Sequence, residues 1–341
     1  MTKVAIIIGA GAFGTSIASV LAHNFDKVIL KVRSKDIYDS LNKHENKIYL
    51  PNQKLSENII AALTWEELDS YAKISDIKLI VNGLPTGAIN NFYSENRDRF
   101  INYFKNSIPM VSLSKGIDPD TLELPDDLFD RYFMEHKDYI TYLSGPSFAK
   151  EIVDKQVTIV SLAGRVPDVL MNVSSMLGTN YFKAFPTYDI KGVLLGGALK
   201  NILAIAGGIL EGLGYNHNTR AAMITRGITE MLRFGKVFNA RPETFYSFAG
   251  MGDLILTTTS SLSRNKTFGL EIAKGRSPRE VIEGQRSVVE GYKTTKAAYK
   301  LARDFNIKAS LFTGIYEILY NNVRPEEVLN SLMSTPIETI D

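Results

Sequence analysis

The chain has 341 residues, 22% of them charged and 45% hydrophobic, with a net charge of +2. This is a globular composition with length for two cores, and so small a basic excess leaves no footprint for nucleic acid or a membrane surface. There is no cysteine and there are only four histidines, His23, His44, His136 and His217. Disulfides and thiolate chemistry are therefore excluded, no two histidines have metal-ligand spacing, and no metal is expected. No signal peptide precedes the first strand, and no apolar run reaches about 18 residues without a charge. A cytoplasmic protein without a membrane span is expected.

The first element is the β-branched apolar run Val4–Ile8, which leads into Gly9-Ala10-Gly11-Ala12-Phe13-Gly14. A helical apolar pattern follows through Ile17, Val20 and Leu21. A G-x-G-x-x-G in this strand-turn-helix setting suits the pyrophosphate of a dinucleotide. Gly9 permits the tight turn, Gly11 admits the phosphates to the backbone, and Gly14 lets the helix pack closely. The free N–H groups at the helix start face the anion.

The second strand, Val28–Val32, ends in Arg33-Ser34. An NAD-preferring fold places an Asp or Glu there, about 20 residues after the glycines, to bond the ribose 2′-OH. Here the acid is missing, and Arg33 and Ser34 suit a 2′-phosphate instead, unless Arg33 is only a solvated loop charge. NADP(H) is therefore expected to be accepted, with or without NAD(H). Further strands are predicted at Lys78–Val81, Met110–Leu113, Thr141–Leu143, Val157–Leu162 and Tyr181–Ala184, separated by helices or loops. Such alternation predicts a mainly parallel, doubly wound sheet of the Rossmann type.

Near residue 188 the texture changes and strands disappear. Helices are predicted at Gly192–Gly212, Thr219–Phe234, Pro242–Phe248, Phe268–Gly275, Ser277–Ile282, Thr294–Phe305 and Leu311–Tyr320. The fold class is thus α/β: a dinucleotide-binding domain over 1–188, then an all-α domain over 189–341 carrying substrate-binding and catalytic residues. Ligands in such proteins sit where the carboxyl ends of the strands meet the second domain.

Four segments carry candidate chemistry. Ser112-Leu113-Ser114-Lys115-Gly116 delivers a lysine from a strand end, and Leu143-Ser144-Gly145-Pro146-Ser147-Phe148-Ala149 opens another strand-end turn. Lys200 and Asn201 lie inside the almost wholly apolar run Leu194–Ala206. A lysine buried there costs several kcal/mol unless it is paired or loses its proton, and desolvation moves a lysine toward the range useful for proton transfer. In Ala249-Gly250-Met251-Gly252-Asp253 the glycines put Asp253 on an exposed turn, and Ser263-Arg264-Asn265 offers a forked cation and an amide for a phosphate. Each has a plainer alternative. Lys115 and Arg264 would be surface charges, Lys200 would snorkel out of its helix, and Asp253 would cap the next one.

With these residues in place the chain resembles the bacterial-type NAD(P)-dependent glycerol-3-phosphate dehydrogenases over nearly its whole length. The resemblance runs from GAGAFGT through Tyr49-Leu50-Pro51, the SKG at 114–116, the SGPSFA at 144–149 and the GVLLGGALKNILAIAGG at 192–208. It continues through the TRG at 225–227, the AGMGDLILT at 249–257, the SRN at 263–265 and the VVEG at 288–291. Two departures stand out: Ala12 where the family often has serine, and Asn82-Gly83-Leu84-Pro85-Thr86 in place of a valine-rich strand end followed by Pro-Ser.

The resemblance implies reversible reduction of dihydroxyacetone phosphate to sn-glycerol 3-phosphate, supplying glycerophospholipid synthesis. It implies Lys200 as general acid/base, with Lys115 and Asp253 orienting or polarising the same centre. Gly145, Ser147, Ser263, Arg264 and Asn265 would hold the substrate together with Lys115, Lys200 and Asp253. Ala12, Phe13, Arg33, Lys115, Ala149, Arg264, Val288 and Glu290 would contact the cofactor beside the glycines. Hydride transfer to a ketone builds negative charge on oxygen, which nearby ammonium groups stabilise. The rivals are another two-domain hydroxyacid or sugar dehydrogenase and a non-catalytic NAD(P)-binding sensor. A homodimer through the helical domain is expected from the general prevalence of twofold homodimers.

Overall fold

The computed structural model describes residues 2–284 and 289–334. The chain forms two compact units: Met1–Lys115 with Pro125–Val193, and Gly116–Leu124 with Leu194–Asp341. The short excursion at 116–124 carries no sequence signal. Its Asp118 carboxylate accepts from the backbone N–H groups of Asp120 and Thr121, and Lys300 donates to the Pro119 carbonyl at 2.9 Å. That anchor ties the loop to the helical unit.

The first unit is built on strands β1 (Val4–Ile8), β2 (Lys27–Lys31), β3 (Glu45–Asn46), β4 (Leu50–Lys54), β5 (Ile59–Ala62), β6 (Ile77–Asn82), β7 (Met110–Ser112), β8 (Ile140–Ser144), β9 (Thr158–Ala163) and β10 (Phe182–Thr187). Eight of them make one sheet in the order β10-β9-β8-β7-β6-β1-β2-β5, while β3 and β4 form a separate hairpin. Every pairing in the large sheet is parallel except β8 with β9. β1 is fully buried, as a central strand covered on both faces must be. Strand order reverses between β1 and β6, where a doubly wound sheet opens its ligand crevice.

The helix Ile89–Lys105 buries Ile89, Tyr93, Phe100, Tyr103 and Phe104, a spacing that lines one helical face. With Phe129 and Phe133 of the helix Pro125–Phe133 these rings pack edge to face, at 4.7 Å between Tyr93 and Phe100 and 5.1 Å between Tyr93 and Phe129. At the sheet margin, β10 contains Pro186, which an edge strand tolerates. Phe182 exchanges hydrogen bonds with Thr179 through its own N–H and C=O, and the Ser174 hydroxyl donates to the Ala184 carbonyl at 2.6 Å.

The predicted mainly parallel sheet is present, with corrections. The hairpin β3–β4 and the edge strand β5 fall in segments read as helix or loop. They are short, and β4 is mostly polar and exposed, so it lacks a periodic apolar signal. Val157 lies outside β9 and is exposed.

Among its described residues the second unit is wholly helical. Its central helix, Ile190–Gly212, is long and apolar enough by length and composition to cross a membrane, yet its apolar window is 94% buried inside the protein. Two helices lie outside those predicted, Asp253–Thr259 and Pro325–Met333. Glu230, fully buried on the helix His217–Val237, caps the start of the helix Ser310–Tyr320. Its carboxylate accepts from the N–H groups of Leu311 at 3.0 Å and Phe312 at 3.2 Å, and Arg226 lies 3.3 Å away. A carboxylate there meets both the unpaired donors and the helix dipole. Glu230→Gln should therefore cost about 2 kcal/mol, because an amide N–H₂ would face buried donors. Urea unfolding monitored by circular dichroism reads the loss, and an unchanged midpoint would contradict it.

Candidate active site

The glycine motif sits at the carboxyl end of β1. Gly9 has φ +92°, a conformation that a side chain would strain, and its N–H bonds the Lys31 carbonyl at the end of β2. A Cβ on Gly14 would lie 2.7 Å from the Gly9 carbonyl oxygen, so helix and turn meet backbone to backbone. A Cβ on Gly11 would touch nothing within 4 Å. The helix Ala12–Leu21 starts there with no side-chain cap, leaving first-turn N–H groups to meet an anion. This open, donor-lined cradle fits a dinucleotide pyrophosphate. Gly83, part of the segment that departs from the family pattern, helps to form it: a Cβ there would lie 3.1 Å from the Ile8 carbonyl oxygen.

Arg33 follows β2, is exposed, and makes no hydrogen bond or ion pair among the described residues. Its guanidinium is thus available to a 2′-phosphate. Lys31 turns away, donating to the Leu63 carbonyl at 2.7 Å with its ammonium over the Trp65 ring. Burial lowers its affinity for the proton, against the opposing pull of Glu66 and Glu67. Glu67 in turn accepts from Tyr38 and Tyr71 and holds the Tyr71 phenol up to about 12.

Lys115 leaves β7 half-buried. Its ammonium stands 5.4 Å from the centre of the Phe13 ring and 3.4 Å from the Gly145 carbonyl oxygen. Gly145 has φ +153°, and a Cβ on it would lie 2.8 Å from Val160 Cα. Ser147 donates to the Gly145 carbonyl at 2.8 Å, and Ala149 opens the next helix, Ala149–Val153. Phe13, Lys115, Gly145 and Ser147, scattered in sequence, therefore converge at the carboxyl ends of β1, β7 and β8.

In the helical unit Lys200 is 8% exposed and Asp253 1%. The Lys200 ammonium donates to the Asp253 carboxylate and, at 3.0 Å, to the Thr257 hydroxyl. Of the two escapes open to a buried lysine, this one is paired rather than snorkelling. The expectation of an exposed turn at Asp253 is corrected. A π-helical turn, Phe248–Gly252, runs directly into the helix Asp253–Thr259 and carries the aspartate inward. The approach requires glycine at position 196, since a Cβ there would lie 2.5 Å from the Ala249 carbonyl oxygen, while Gly250 lets the π-helical turn fold back on the residues before it, where a Cβ would lie 2.2 Å from the Phe245 carbonyl oxygen.

Next to Lys200, Asn201 accepts from the Asn265 amide at 3.0 Å, and Asn265 accepts from the Gly291 N–H at 3.0 Å. Ser263 is buried and caps the helix Arg264–Ala273 through the Lys266 N–H, with Arg264 exposed just inside the helix start. Glu290 opens the helix Glu290–Asp304. Val288 lies outside the described residues. Sequence reasoning missed Thr257, whose position four residues after Asp253 puts it on the same helical face.

A glycine cradle at the switch point of a doubly wound sheet, with a second unit carrying a buried lysine on an apolar helix, defines a nicotinamide-dependent dehydrogenase of two domains. Residues 3–169 match the family described as NAD-dependent glycerol-3-phosphate dehydrogenase N-terminus, and residues 189–330 match its C-terminus. The chain belongs to this family. It is 37% identical to the glycerol-3-phosphate dehydrogenase [NAD(P)+] of Leptospira biflexa, over 97% of this chain and 98% of that one. It is 38% identical to the protein of the same name from Bacillus cytotoxicus, over 98% and 95%. The crystal structure of glycerol-3-phosphate dehydrogenase from Coxiella burnetii superposes with a TM-score of 0.86 at 29% identity, covering 98% of this chain and 99% of that one.

Removing the carboxylate would leave a buried, uncompensated ammonium. Asp253→Ala should destabilise the fold by about 3–5 kcal/mol, more than Lys200→Met, which removes the charge together with its demand for a partner. Thermal unfolding of both variants checks the order, and a milder Asp253→Ala would contradict it.

Proposed function

We propose that this protein reduces dihydroxyacetone phosphate to sn-glycerol 3-phosphate with NADPH or NADH, reversibly, for glycerophospholipid synthesis. The observation that carries the reading is the buried Lys200 ammonium, held by Asp253 and Thr257 on an otherwise apolar helix. When bound, the nicotinamide cofactor supplies the hydride that reaches C2 of the substrate.

The chain's own residues do the rest. The glycine cradle and Arg33 bind the dinucleotide, and Lys115 and Lys200 bring positive charge to a carbonyl oxygen that becomes an alkoxide. Lys200 Nζ gives that oxygen its proton in the reductive direction and removes it in the reverse. Asp253 and Thr257 fix the direction of the Nζ hydrogens. Arg264, exposed in the first turn of its helix, takes the substrate phosphate together with Asn265 and Ser263, and Gly145 and Ser147 shape the strand-end turn beside Lys115. The phosphate thereby supplies binding energy remote from the reacting carbon.

Lys200→Ala should lower kcat by about 10²–10⁴-fold while NADPH binding, read from its fluorescence, survives. Full turnover in that variant would remove Lys200 from proton transfer. Arg264→Ala should raise KM for dihydroxyacetone phosphate by about 10–100-fold, and steady-state assays at 340 nm report it. An unchanged KM would move the phosphate site. By the same assay, Arg33→Ala should reduce the NADPH-to-NADH preference by about tenfold, and an unaltered ratio would take the 2′-phosphate away from Arg33.

A further inference from the structure

Strand β6 reads Leu79-Ile80-Val81, all buried and apolar, and then ends on Asn82, equally buried. This residue occupies the switch point: it pairs with Ile8 at the end of β1 and with Ser112 at the end of β7. Its side chain is surrounded by polar groups that are almost wholly buried themselves. The amide donates to the Ser112 hydroxyl at 3.0 Å and the Ser114 hydroxyl at 2.8 Å, and its oxygen accepts from the Tyr93 phenol at 3.1 Å. The Ser114 hydroxyl donates to the Leu84 carbonyl at 2.6 Å. Its one proton is thus committed, so toward Asn82 it only accepts, which fixes the amide's orientation. Burial raises Tyr93 well above the usual phenol range, so its hydroxyl stays protonated as a donor.

The quartet costs more to bury than a valine would unless it serves a purpose beyond filling space. Its geometry indicates the purpose. It ties together the two strand-end loops that flank the cradle: residues 83–84, against which Gly9 packs, and residues 112–114, whose next residue is Lys115. We infer that Asn82, oriented by Tyr93, is a positioning residue that sets where the Lys115 ammonium stands for the reaction. The inference rests on the proposed role of Lys115 at the substrate.

The test is a double-mutant cycle on the full-length enzyme: wild type, Asn82→Val, Lys115→Ala and the pair, each assayed for kcat and KM with dihydroxyacetone phosphate and NADPH. Misplacement of a catalytic group should cost Asn82→Val about tenfold or more in kcat. The same substitution should cost nothing further once Lys115 is alanine, because the group it positions is gone. Equal losses in both backgrounds would mean that Asn82 only supports the fold, and would overturn the inference. So would a fully active Asn82→Val. Normal kcat in Lys115→Ala alone would instead remove the reading of Lys115, and the inference with it. Should Asn82→Val not fold, Tyr93→Phe deletes one hydroxyl in place. It should lower kcat about threefold in the wild-type background only, and a loss that persists without Lys115 would overturn the proposal in the same way.

Discussion

An ammonium buried in an apolar helix must be met by a counter-charge, and the interior of the helical unit follows from that demand. Lys200 cannot reach solvent from the middle of Ile190–Gly212, so Asp253 has to come to it. The aspartate arrives on a helix start turned inward by the π-helical turn, and Gly196 allows the backbones to close to that distance. The pair is costly as a source of stability, because both charges leave water. In the proposed mechanism its value lies in chemistry: a proton donor with a fixed direction inside an environment of low polarity. Thr257 completes the partners of Lys200, and the Asn201–Asn265–Gly291 chain beside it adds a second polar cluster, in a unit otherwise packed with alanine, leucine and isoleucine.

The cofactor half obeys a different constraint, that of backbone access. Nothing charged is needed to cradle a pyrophosphate if amide groups can approach it: Gly11 leaves that approach open, while Gly9, Gly14 and Gly83 let the turn, the helix and the neighbouring strand end pack closely around it. At the margin Arg33 stands where an NAD-preferring fold has the acid that bonds the ribose. Lys31, the neighbouring cation, is engaged with Leu63 and Trp65, which leaves Arg33 as the exposed cation after β2.

Much of this was legible in the sequence because it rests on local pattern. A β-branched run before G-x-G-x-x-G specifies strand, turn and helix within fifteen residues, and a lysine among apolar residues announces that it needs a partner. What the partner is was less legible. Asp253 follows two glycines, which reads as an exposed turn, and only tertiary packing against Gly196 makes it interior. The strands β3 and β4 were missed because two to five residues of mixed polarity carry no period, and β5 because four apolar residues are too few to tell a strand from a helix or loop. The Asn82 quartet draws on residues 82, 93, 112 and 114, brought together by parallel crossovers that no local window contains. Ser263 was read as a candidate substrate ligand, and in the structure its hydroxyl caps a helix, a use that sequence alone shows only as a serine before a helical run.

The margin of the large sheet has a consequence for the protein in a crowded solution. A parallel sheet that ends in an open strand offers unpaired amides to any other extended chain, and pairing of that kind seeds aggregation. On β10 the Phe182 N–H and C=O are returned to Thr179, the Ala184 carbonyl is taken by Ser174, and Pro186 has no N–H to offer. Together with the exposed Lys183, these features leave little for an incoming strand to bond. The margin that closes the dinucleotide-binding sheet is therefore self-terminating, and resistance to strand-to-strand association is built into the same six residues that complete the fold.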